Sequence, residues 1–160
     1  MADIFNIIKK IEDIYNNNKR DSDAEQLLMK LALLEACGWI ENTIDYICGR
    51  TSKNDPLLQK EIDEYLDKCY SFSYEKFKGC LCFCVGITTF NAIEQTFTPQ
   101  ELSNFRSALN TLKKKRDSAA HNPIYALPNL IGFTDVNSHL KTIISGFQKI
   151  NKYLRNNNLI

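Results

Sequence analysis

Isoleucine, leucine and phenylalanine return every three or four residues along almost the whole of this chain, and that interval is the period of an α-helix. Residues 3–19 place Ile4, Ile7, Ile8, Ile11, Ile14 and Tyr15 at it. The stretch from Ser22 to about Cys48 carries Leu27, Leu28, Leu31, Leu33, Leu34, Cys37, Ile40, Ile44 and Ile47. These cover more than one face, as expected of a central, buried helix. Further patterns are Leu58, Ile62, Tyr65, Leu66 and Cys69; Tyr74, Phe77, Leu81 and Cys84; Leu102, Phe105, Leu109 and Leu112; and Val136, Leu140, Ile143, Phe147, Ile150 and Leu154.

The punctuation agrees. There are only six glycines and four prolines, and the prolines with Gly49, Gly86 and Gly132 fall between these patterns, where they separate helices. Ser22 and Glu25 have the spacing of a capping box. Asp55-Pro56 opens a short helix, and Gly86 closes the one that starts near Tyr74. Thr98-Pro99-Gln100-Glu101 is a second capping box with proline at the first helical position. Asn122-Pro123 should end that helix, because the residue before proline avoids helical backbone angles. The expectation is an all-α, up-and-down bundle of about five to six helices, one domain over residues 1–160.

Composition narrows the classes of function. At 160 residues and 44% hydrophobic content, the chain has the material for a core without metal or disulfide support. Its net charge of +1 means that nucleic-acid binding has to come from a local patch. The six cysteines show no CxxC spacing. Cys80, Cys82 and Cys84 lie two apart, which sends successive side chains to opposite sides of a helix and away from a common metal. The expectation is therefore free thiols in a reducing compartment, with no metal and no cofactor. Apolar runs around 31–40 and 80–87 are too short or interrupted to span a bilayer, and the N-terminus does not have the pattern of a secretion signal. The expected location is the cytoplasm.

One position breaks its pattern. The stripe Leu102, Phe105, Leu109, Leu112 continues to Arg116, where another leucine would be expected. A guanidinium there needs a carboxylate, a phosphate or an interface cleft. Asp117, two alanines and His121 follow in the last turn, and the alanines permit close approach of a helix or ligand. Histidine titrates near neutrality, so it can take a proton from a ribose 2′-hydroxyl or give one to a leaving 5′-oxygen. Arginine can hold the phosphate between them and stabilise the charge of the transition state, with no metal needed. Residues five apart point roughly 140° from each other on one helix. A two-fold axis would bring two copies of the pair into one cleft, which is why a homodimer is expected. Lys113, Lys114 and Lys115 can contact flanking phosphates or simply form an exposed basic turn.

The run Arg116-Asp117-Ser118-Ala119-Ala120-His121 resembles the HEPN superfamily motif, Arg-polar-x3-His at the end of a bundle helix. The run from Leu31 to Glu41 is similar to the long second helix of the RiboL-PSP branch of that superfamily. The resemblance implies a helical, usually dimeric bundle with two motif copies facing each other. Many members are metal-independent endoribonucleases of toxin–antitoxin, phage-defence or RNA-processing systems, so RNA, a second copy and an antitoxin or other partner protein are the expected partners. Carried over, Arg116 and His121 are catalytic and Asp117 orients them. Some HEPN toxins have a tyrosine two residues past the histidine that a partner nucleotidyltransferase modifies; here Pro123 stands there and Tyr125 comes later.

Around this pair, Glu35 is an acid in an apolar run, either a cleft residue that partners Arg116 or a solvated charge at the bundle edge. Tyr125 can stack on a nucleobase or pack over the cleft. Glu41 and Asp45 share a face without the histidines a metal site would want, and His139 is expected to have no catalytic role. Trp39 is expected to fill a core or dimer interface. Three classes of function follow: an endoribonuclease, a non-catalytic HEPN module for RNA or nucleotide binding or dimerisation, and a helical adaptor in which Arg116 closes a structural ion pair.

Overall fold

A computed structural model describes residues 3–17, 22–69, 71–121 and 131–160. Among these the chain is helical, without strands: α1 (Ile4–Asn17), α2 (Ser22–Gly49), a 3₁₀ turn (Arg50–Ser52), α3 (Pro56–Leu66), α4 (Tyr74–Val85), α5 (Ile87–Glu94), α6 (Pro99–His121) and α7 (Phe133–Asn156). The all-α expectation holds. Seven α-helices are described where about five to six were expected, and α5 escaped notice because it has eight residues and two threonines and so carries little periodic signal. Gly86 makes the break between α4 and α5 with a φ of +82°, a conformation that side chains oppose.

The central role expected for the second helix is what the structure shows. Helix α2 has 28 residues, about 42 Å of axis, and packs against α1, α3, α4, α6 and α7. It buries Ala32, Leu33, Ala36, Cys37, Ile40, Ile44, Ile47 and Cys48. The stripes of α6 and α7 are buried as their spacing requires, apart from the half-buried Leu102. Ile14, Leu27, Leu31 and Leu58 fail their expected burial and are exposed; Leu27 and Leu31, four apart, form an exposed face of α2.

Helix ends are held by their own sequence. Asp55 accepts from the Leu57 and Leu58 N–H groups at 2.9 and 3.2 Å, with Pro56 in the first turn of α3. At α6 the Thr98 N–H donates to Glu101 (2.8 Å) and the Glu101 N–H donates to Thr98 Oγ1 (3.2 Å), completing the capping box. The Ser22 side chain, Asn122-Pro123 and Tyr125 lie outside the described residues.

Two pairs of contacts give the helix directions around the candidate site. Cys37 meets Leu112, and four residues on in both helices Glu41 meets Arg116, so α2 and α6 run parallel there. Glu101 meets Lys149 and Phe105 lies against Gly146, so α7 runs antiparallel to α6. A methyl group at 146 would collide with the Phe105 ring; glycine permits this close approach. Among the described residues, no helix is long and apolar enough to cross a membrane.

Candidate functional site

Leu112 is fully buried, and its carbonyl accepts from the Cys37 thiol at 3.9 Å. One turn later the same stripe of α6 delivers Arg116 to the edge of the core, with its side chain 23% exposed. Arg116 Nη2 donates to Glu41 Oε1 at 2.5 Å, and the guanidinium lies 5.5 Å from the centre of the Phe72 ring. Both contacts suit a planar, delocalised cation. Its Nε is buried without a hydrogen-bond partner. Arg116 Nη1 also approaches Asp117 Oδ1 at 3.6 Å, while Asp117 Oδ2 receives Lys113 Nζ at 2.5 Å. Burial pushes the Cys37 thiol up to about 12, against the opposing pull of Arg116, so this cysteine is a packed thiol and not a nucleophile.

The acid on Arg116 is therefore Glu41, and Glu35 is not its partner. Glu35 is exposed. Six residues separate the two acids, which turns them roughly 120° apart around α2. The parallel register of α2 on α6 puts Glu41, and not Glu35, level with Arg116.

Beside the ion pair opens a cavity of about 440 Å³, whose walls include Glu41, Asn42, Asp45, Ser71, Phe72 and Arg116. The α2 wall is acidic. The Asp45 carboxyl is pushed above its ordinary range by burial and then by Glu41, Asp67 and Asp63. A phosphate reaching Arg116 thus meets repulsion on the Asp45 side. The other side of Arg116 belongs to Lys113, Asp117 and the rest of the basic turn, where Lys114 is exposed and Lys115 half-buried.

His121 is exposed in the last turn of α6 and does not line this cavity. The structure brings Arg116, Asp117 and Lys113 together and leaves His121 on a different face, as their five-residue spacing requires. His139 is half-buried on α7, where burial holds its imidazole below the ordinary value despite Asp135. Trp39 is half-buried, its ring 6.4 Å from that of Phe147. Among the described residues, no group of three or more His, Cys, Asp or Glu side chains is placed to hold a metal ion.

A second arginine–carboxylate cluster was not foreseen. Glu94, in the unrecognised α5, accepts from the Tyr74 hydroxyl and from Arg106 Nη2 at 2.6 Å, with Lys78 Nζ 4.0 Å away. Arg106 also sits 4.5 Å from the centre of the Tyr74 ring. Burial raises the Glu94 carboxyl, yet the Tyr74 and Arg106 hydrogen bonds bring it below its ordinary value. This cluster ties α4, α5 and α6 together at the other end of α6 from His121. No sequence signal pairs Arg106 with Glu94, because 12 residues and a helix break separate them.

No protein-family model, curated protein or solved structure matches the chain.

Proposed function

We propose that this chain is a HEPN-type, metal-independent endoribonuclease that acts as a homodimer, with an antitoxin or other partner protein as its expected regulator. The observation that carries the reading is the end of α6. It holds Arg116 half-buried at an open cavity and, one turn on, presents an exposed imidazole at His121. In one copy the two point apart; in a two-fold pair, the Arg116 of one copy and the His121 of the other can flank a single phosphate. His121 then moves the proton between the 2′-hydroxyl, the nucleophile, and the leaving 5′-oxygen. Arg116 neutralises the phosphate in flight.

Glu41 fits this scheme as the anion that holds the guanidinium in place before RNA arrives. Its side chain is 41% exposed, so an RNA phosphate approaching from the lysine side can compete for Nη2 without burying a new charge. Asp117, anchored by Lys113, supports Arg116 from behind.

The same ion pair also favours a second reading, a helical dimerisation or adaptor protein in which Arg116 closes a structural salt bridge. Purified protein incubated with mixed RNA in excess EDTA separates the two. Cleavage that leaves 2′,3′-cyclic phosphate ends and is lost in His121→Ala and Arg116→Ala, both shown to be folded, is expected. Intact RNA, or cleavage that survives both substitutions, would leave a non-catalytic binding or scaffolding module.

A further inference from the structure

Two thiols line the same cavity as Arg116. Cys80 projects from α4, one turn past Phe77, and is 2% exposed. Cys69 lies on the connection between α3 and α4 and is half-buried. Both are on the cavity wall, and the two thiols interact directly with each other. In this connection the Cys69 N–H donates to the Leu66 carbonyl (2.7 Å) and the Ser71 N–H donates to the Cys69 carbonyl (2.8 Å). The connection leads directly to Phe72, the ring on which the Arg116 guanidinium rests. The pair is thus held by one rigid helix and by the short segment that floors the arginine.

We infer that Cys69 and Cys80 are an oxidation site whose disulfide fixes the Phe72 wall of the Arg116 cavity. Resting on the ribonuclease reading, the same link turns down RNA cleavage. The oxidant class is a hydroperoxide, which reaches the half-buried Cys69 from the cavity. Cys69, the more accessible thiol, attacks the peroxide, takes one oxygen to become a sulfenic acid, and releases the other as water. The Cys80 sulfur then attacks the Cys69 sulfur and expels the hydroxide, which leaves as a second water with the Cys80 proton. Two thiols are oxidised by two electrons and one peroxide is reduced. A thiol reductant reverses the change.

The competing pair is Cys48 and Cys84. The Cys84 thiol is held below its ordinary range, first by the Cys48 thiol that donates to it and then, against burial, by Thr51. Cys48, however, is fully buried, and neither residue lines the Arg116 cavity. Access, not acidity, decides for Cys69.

The test treats the full chain with a small molar excess of hydrogen peroxide, alkylates it under denaturing conditions and weighs it. Expected is a mass about 2 Da below that of the reduced chain plus four alkyl groups, since four of the six cysteines stay open to alkylation, and a linked peptide holding Cys69 and Cys80. Dithiothreitol should restore six. Cys69→Ser and Cys80→Ser should abolish the link and Cys82→Ser should not; Cys69→Ser, at the half-buried position, covers the case that Cys80→Ser unfolds the chain. Amide exchange in the connection between α3 and α4 should slow several-fold in the oxidised protein. Six alkylatable cysteines after peroxide, a link mapped to Cys48–Cys84, or a Cys69–Cys80 link with unchanged exchange would each overturn the inference. Equal RNA cleavage by the reduced and oxidised forms would overturn the control of activity. These mass and exchange readings do not require RNA cleavage, so a protein that cuts no RNA defeats the ribonuclease reading alone.

Discussion

A guanidinium three-quarters covered by protein has to have its charge met nearby, and the group that meets it decides what else the arginine can do. Arg116 has one strong partner, Glu41 Oε1 at 2.5 Å, and one looser neighbour, Asp117 at 3.6 Å. Glu41→Gln keeps an acceptor at the same place and removes the charge. Because both side chains are partly in water, the loss of stability should be modest, about 1 kcal/mol in a urea melt. If Arg116 is held ready for phosphate, the same change should tighten binding of a short single-stranded RNA several-fold, measured by fluorescence anisotropy. Lower stability with unchanged RNA affinity would mark the pair as purely structural. The oddity of Arg116 was legible from its stripe: after Leu102, Phe105, Leu109 and Leu112, a charge is out of place. Its partner was not legible. Whether Glu35 or Glu41 faces Arg116 depends on the axial register of α2 against α6, and spacing within one helix does not encode its offset from another.

At the scale of elements, α6 and α7 are joined by apolar stripes at their interface and by one carboxylate at the rim. Glu101 completes the capping box with Thr98 and also accepts from Lys149 Nζ at 2.6 Å, across to α7. Lys149, and then the Thr98 N–H, bring its carboxyl down from an ordinary value of 4.5 to about 2. The folded-state value lies below the unfolded one, so the stabilisation is complete above about pH 4.5 and is lost as the pH falls towards about 2. Glu101→Gln should therefore lower the thermal midpoint at neutral pH, and its difference from the parent should shrink between those two values. The group is exposed, so added salt should shrink the neutral-pH difference as well. A difference independent of pH would mean that the cap geometry, and not the charge, stabilises this end of α6. The capping box itself was visible as Thr98-Pro99-Gln100-Glu101, because its four residues are contiguous. The bond to Lys149 was not, being a consequence of the antiparallel packing that Gly146 permits against Phe105. Helix α5 was hidden for a related reason: a break set by one glycine at positive φ makes a short helix that periodicity cannot resolve.

For the whole molecule, the question is how many copies make a site. Arg116 and His121 occupy one helix and diverge by roughly 140°, so a rigid α6 does not aim both at one phosphate. The cavity beside Arg116 is acidic on its α2 wall, so under the proposed ribonuclease reading an RNA strand would lie on the other side of the arginine, towards the basic turn and the end of α6. In the proposed dimer, a second copy meeting the first across that end supplies what one copy lacks. If the site is shared in this way, two dead variants should revive each other. In a mixture of Arg116→Ala and His121→Ala chains allowed to exchange subunits, half the dimers are mixed. Each mixed dimer holds one site with the arginine of one copy and the histidine of the other, both intact. Roughly a quarter of the parental cleavage should return, while each variant alone stays inactive. The recovered activity should fall on dilution below the dimer dissociation constant, which sedimentation of the parent fixes independently. Were both groups to act within one chain, every site in the mixture would still lack one of them, and mixing would restore nothing. A dimer that forms but does not complement would therefore leave the end of α6 as an interface and remove the shared active site from it.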